Sequence, residues 1–168
     1  MQTISVEFEV ELSLAEAWEH LQDLSQPDMY VQGLTAVEFT TEHRQGVGAS
    51  RRVTQGKSFR LDETVTEWQE GKGFSLRLHR GEKTSIPLLS SHFFDYGLRE
   101  NGGRVFLYNQ MRYQVGLGPL GALLDKLLLR KLMRSQLRDV TLAQKIYYET
   151  GQKVTADILK SAKAALGH

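Results

Sequence analysis

Between Gly116 and Tyr148 the chain reads GLGPLGALLDKLLLRKLMRSQLRDVTLAQKIYY, the one segment long and apolar enough to be a long helix. Gly116 and Gly118 break the strand before it. Pro119 suits a first helical turn, where a missing N–H costs nothing. Leu120, Leu123, Leu124, Leu127 and Leu128 form one helical stripe, and Leu132, Met133, Leu137, Val140, Ala143 and Tyr147 form another. At about 100° per residue the two stripes are rotated by roughly half a turn. A straight helix on a flat sheet cannot bury both. Either the helix kinks near Leu129–Lys131 or a curved sheet grips it from two sides. Both outcomes set a helix across the mouth of a concave sheet and leave a cavity beneath it.

The residues ahead of this segment read mostly as short strands. Ile4, Val6, Phe8, Val10 and Leu12 alternate with Glu7, Glu9 and Glu11, the pattern of a half-buried strand. Ser13-x-x-Glu16 is a capping box, and Leu14, Ala17, Trp18 and Leu21 make the buried stripe of the helix it starts. Asp23, Ser25 and Pro27 end that helix and begin a second short one carrying Met29 and Tyr30. Strands follow over Leu34–Glu42, Ala49–Gln55, Phe59–Trp68 and Gly73–Arg80. After a loop with Pro87, Ser90–Arg99 and Arg104–Val115 make a hairpin on the Asn101-Gly102-Gly103 turn. Short connections between consecutive strands mean an antiparallel sheet. Gly151 is a helix C-cap, and residues 152–168 form an amphipathic extension with Val154, Ile158, Leu159 and Ala162.

At 168 residues the chain makes one domain with room for a real core. A formal charge of +1 provides no field for nucleic acid. The absence of cysteine removes disulfides, thiolate chemistry and cysteine metal sites, and fits a cytoplasmic protein. The first residues lack the layout of a signal peptide, and no run approaches the roughly 18 apolar residues of a spanning helix. Five scattered histidines show no paired metal-ligand spacing, so no metal is expected. Gly116–Gly121 matches G-x-G-x-x-G literally. It follows antiparallel strands instead of opening a parallel unit, so no dinucleotide or other cofactor is expected.

The order of elements and several words of sequence resemble the polyketide cyclase/dehydrase and START-like lipid-transfer (Bet v 1-like) superfamily. AEAWEHLQDLSQPDMYVQGLTAVE (Ala15–Glu38) carries the resemblance through Trp18, Leu21, Asp23, Pro27, Val31, Gly33 and Val37. GVGASRRV (Gly46–Val53), ETVTEW (Glu63–Trp68) and GPLGALLDKLLLRKLMRSQL (Gly118–Leu137) are similar to its later segments. The resemblance implies an α+β helix-grip fold: a curved antiparallel sheet of about seven strands around a long C-terminal helix, with two short helices after strand 1. It implies a ligand-binding domain over residues 1–150, followed by the extension over 151–168, and an apolar pocket between sheet and helix.

Strand alternation proposes the pocket's lining. Val105, Leu107, Asn109, Met111, Tyr113 and Val115 share one face of the last strand, and His92, Phe94, Tyr96 and Leu98 one face of its neighbour. Apolar walls with a few polar groups describe a small-ligand site. The same four polar residues (His92, Tyr96, Asn109, Tyr113) also read as core groups satisfied by neighbours. The expected wall comprises Tyr30, Trp68, His92, Phe94, Tyr96, Asn109, Met111, Tyr113, Leu124 and Leu128. A carrier of a lipid, isoprenoid quinone or polyketide-like molecule is the first reading. A cyclase/dehydratase using His92 with Tyr96 or Tyr113 is the second, and a protein–protein module the third.

Glu63 and Glu67 fall on the face of Phe59, Leu61 and Val65, with Thr64, Thr66 and Trp68 opposite, and an outward Glu63 is the commoner arrangement. Arg51 and Arg52 occupy both faces of their strand, so one of them can point inward. Residues 119–138 carry Lys126, Arg130, Lys131, Arg134 and Arg138 against Asp125. Such a face is either the solvated back of a core helix or a peripheral contact with a membrane. A second copy of the chain is a further candidate partner, through the extension.

Overall fold

The strict alternation at the amino terminus builds β1 (Gln2–Val10), with Ile4 and Val10 buried. The computed structural model describes residues 1–116, 118, 121 and 125–167. Helix α1 (Leu14–Leu21) starts as its sequence predicts. Glu16 N–H donates to the Ser13 hydroxyl, and Ser13 N–H donates to the Glu16 carboxylate. A single 3-10 turn, Pro27–Met29, stands where a second short helix was expected.

Among the described residues, seven long strands and one short rung follow from alternation and turn chemistry. They are β1, β2 (Leu34–Phe39), β3 (Ser50–Gln55), β4 (Phe59–Gln69), β5 (Gly73–Arg80), the two-residue β6 (Lys83–Thr84), β7 (Leu89–Asn101) and β8 (Arg104–Val115). The sheet runs β1-β8-β7-β5-β4-β3-β2 with β6 paired to β5, and every pairing is antiparallel. β1 closes against β8, so the first and last strands of the chain order lie together and the α1 segment bridges to the far edge.

The long carboxy-terminal helix α2 (Arg130–Thr150) packs mainly on β1 and also on β8. Directly before it, Asp125–Leu129 winds as a π turn. A π turn takes up more residues per turn than an α-helix and so rotates the helix beyond it. The loss of phase between the two leucine stripes therefore falls where the winding changes, next to the expected kink. Met133, Leu137, Ala143 and Tyr147 are buried as the second stripe requires, whereas Leu132 is 52% exposed. Leu120, Leu123 and Leu124 lie outside the described residues. Gly118 takes a left-handed φ of 55°, and a Cβ on Gly121 would meet the Gly116 carbonyl oxygen at 1.9 Å. Glycine is needed there for a sharp turn off β8.

Gly151 caps α2 with φ 68°. Helix α3 (Ala156–Ala165) begins at Thr155, whose hydroxyl accepts from Ile158 N–H. This tail packs on the domain: Val154 N–H donates to Met29 O, Gln32 Nε2 donates to Val154 O, and Lys163 meets Asp139 at 2.7 Å.

Candidate ligand-binding site

Inner faces of β7 and β8 form four cross-strand rungs. His92 pairs with Tyr113, Phe94 with Met111, Tyr96 with Asn109, and Leu98 with Leu107. All eight are buried, so alternation had placed each on the correct face. Polar and apolar rungs alternate, and the two polar ones lie about 13 Å apart along the strands.

Each polar rung is held differently. Asn109 Nδ2 donates to Thr141 Oγ1 (3.1 Å) and Gln144 Oε1 (2.7 Å) on α2, and Gln144 Nε2 donates to the Tyr148 hydroxyl. Asn109 thus bolts sheet to helix. His92 Nδ1 lies 2.6 Å from the Ser85 hydroxyl. With that hydroxyl donating, the ring proton sits on Nε2. Burial pushes the imidazole pKa down to about 4, so the ring is neutral at pH 7. Among the described residues, neither His92 Nε2 nor Asn109 Oδ1 has a hydrogen-bond partner.

The interior continues into a charged centre that sequence reasoning reached only in part. Arg51, 2% exposed, points inward from β3. Its Nε donates to Glu63 Oε2 at 2.7 Å on β4, and Nη1 donates to the Leu24 carbonyl. Burial works against the guanidinium's charge, and Glu63, Tyr96 and Tyr30 more than offset it. The Tyr30 and Tyr96 phenols lie beside this pair. Burial pushes the Tyr30 phenol up to about 12 and holds Tyr96 and Tyr148 well above the ordinary value. All three therefore remain neutral donors.

Glu63 faces inward, against the expectation of a solvated edge, because a guanidinium waits for it across the β3–β4 pair. Glu67 does not share its face. A bulge between Val65 and Glu67 shifts the register, turning Glu67 outward and Trp68 inward, where its ring stacks on Phe74 at 5.4 Å. Rings then run Trp18, Trp68, Phe74, Tyr96, Phe94 with centroids 4.5–5.4 Å apart. Glu70, which nothing in the sequence singled out, accepts from both indoles: Trp18 Nε1 at 3.0 Å and Trp68 Nε1 at 2.9 Å. Leu128, expected in the wall, is 68% exposed and lies off the interior. Leu124 falls outside the described residues.

The profile of the family described as polyketide cyclase / dehydrase and lipid transport matches residues 1–144. The chain belongs to that family. Solved structures agree on the fold. A protein from Thermus thermophilus is 16% identical, with TM-score 0.64, over 88% of this chain and 97% of its own. Ara h 8.0201 is also 16% identical, with TM-score 0.65 over the same shares. DynU16, from the dynemicin biosynthetic locus, is 17% identical with TM-score 0.62, over 91% of this chain and 49% of its own. No curated protein matches the chain in sequence. Proteins that share this sheet-and-helix frame thus differ greatly in sequence.

Proposed function

We propose that this family member binds a small hydrophobic molecule carrying polar oxygens, a lipid, isoprenoid quinone or polyketide-like chain, between its sheet and α2. The observation that carries this is that His92 Nε2 and Asn109 Oδ1, on either side of the apolar Phe94–Met111 rung, have no hydrogen-bond partner among the described residues. Buried polar atoms seldom go unsatisfied. One donor and one acceptor spaced along an apolar wall suit a carbonyl and a hydroxyl on one elongated ligand, whose apolar surface supplies the binding free energy at about 25 cal/mol per Å². Tyr30, Trp68, Tyr96 and Tyr113 complete the wall, and no cofactor enters this reading.

Native mass spectrometry of freshly purified protein tests this, together with titration by menadione and oleic acid. A co-purifying apolar mass, or saturable binding weakened at least tenfold by Met111→Trp, supports a carrier. Absence of both refutes it.

A cyclase-type enzyme is the second reading, and the buried Arg51–Glu63 pair beside three phenols favours it, since such a centre can orient a poly-carbonyl chain. His92 is a weak base for it, with a pKa near 4. Turnover of a poly-β-ketone thioester, lost in His92→Ala while binding survives, would establish the enzyme.

A further inference from the structure

From Leu128 to Gln136 the chain stands clear of the core, with only Met133 buried and Leu129 partly so. Leu128 and Leu132, four residues apart, are 68% and 52% exposed. Around them run Lys126, Arg130, Lys131, Arg134 and Arg138, with no acidic residue from 126 to 138. None of these five cations enters an ion pair among the described residues. Most arginines of the sheet behave differently: Arg51, Arg52, Arg99, Arg104 and Arg112 each hold a carboxylate, while Arg60, Arg77 and Arg80 enter no ion pair among the described residues. Glu7 borders the hollow beside Arg134 and Arg138, but its carboxylate is held by Arg99 through both nitrogens.

We infer that this helix end docks on the surface of an anionic lipid bilayer. Exposed leucines would enter the headgroup boundary while unneutralised cations meet lipid phosphates and other anionic headgroups. A second copy of the chain fits poorly. A two-fold contact through this patch would set five cations against five, and two leucines fall far short of the about 800 Å² that each partner of a stable interface buries. A soluble polyanion would use the cations and leave the leucines in water. Leu88, 43% exposed, adds an apolar side chain at the end of the sheet where the chain leaves β8, its carbonyl accepting from Gly116 N–H.

Co-sedimentation of the full chain with phosphatidylcholine vesicles, alone or with about one third phosphatidylglycerol, tests docking whatever the interior holds. Binding is expected to the anionic vesicles only. It should fall at least tenfold in L128D/L132D and in K126E/R130E/K131E, and stay at the wild-type level in the control K57E/R60E at the β3–β4 turn. Thermal melting checks that each variant folds, and L128S/L132S replaces the aspartate pair if that pair does not. Three results overturn the inference. One is failure to bind anionic vesicles. Another is undiminished binding by the leucine variants, which would mark a polyanion site. The third is a vesicle-free dimer that those variants make monomeric, which would mark a contact between copies.

Discussion

Arg51 and Glu63 meet at 2.7 Å across adjacent strands, and the cation of the pair is almost wholly removed from water. Removing one partner leaves the other charge stranded, while replacing both with apolar groups does not. Glu63→Gln is expected to lower unfolding free energy by about 3 kcal/mol, and Arg51→Met/Glu63→Leu to regain most of that loss. Urea denaturation measures both, and a Glu63→Gln chain as stable as wild type would contradict the assignment.

His92 makes stability depend on pH in a defined window. Burial lowers its folded pKa from 6.5 to about 4, so between those values the unfolded chain binds more protons than the folded one. Its contribution is intact above pH 6.5 and is lost as the pH falls towards 4, reaching about 3 kcal/mol at the acid end. Melting temperatures of wild type and His92→Gln should therefore converge on acidification. Parallel curves would show that the imidazole titrates normally.

Asn109 binds the sheet to the helix through Thr141 and Gln144. Asn109→Leu keeps the volume and leaves Gln144 Oε1 without its donor, at a cost of about 1–3 kcal/mol. Adding Gln144→Leu should return part of that. A double-mutant cycle with no coupling would dissociate the two side chains.

At Gly73 a side chain has nowhere to go. A Cβ would lie 2.2 Å from the Tyr96 carbonyl oxygen and 2.8 Å from Gly97 Cα, both backbone atoms that no rotamer moves. Gly73→Ala is expected to cost about 3 kcal/mol or more, whereas Gly71→Ala, in an open turn at φ 72°, should cost about 1 kcal/mol. Equal melting temperatures for the two variants would refute this contrast.

Much of the frame was legible along the chain because the forces that make it are local. Ser13 and Glu16 close a capping box within one turn, Gly151 ends α2 at a left-handed residue, and the Asn101-Gly102-Gly103 turn sets the β7–β8 hairpin. Alternation in β7 and β8 names the inner face without knowledge of what lies opposite, since a strand has only two sides. The resemblance to the family supplied the sheet's wrapping around the helix.

The faces of Glu63, Glu67 and Trp68 were decided elsewhere. A bulge at Thr66, seen in the register against β5, flips the second half of β4. Glu63 turns inward because β3 delivers Arg51 to it, and Glu70 gains its role because α1 and β4 bring two indoles together. Leu128 ends one apolar stripe in sequence and Leu132 begins the other, yet both lie outside the core. Periodicity showed which residues share a side of each unbroken element, though not across the bulge in β4. Only the packed chain determined where one side stops being interior, because that depends on how far the neighbouring elements extend.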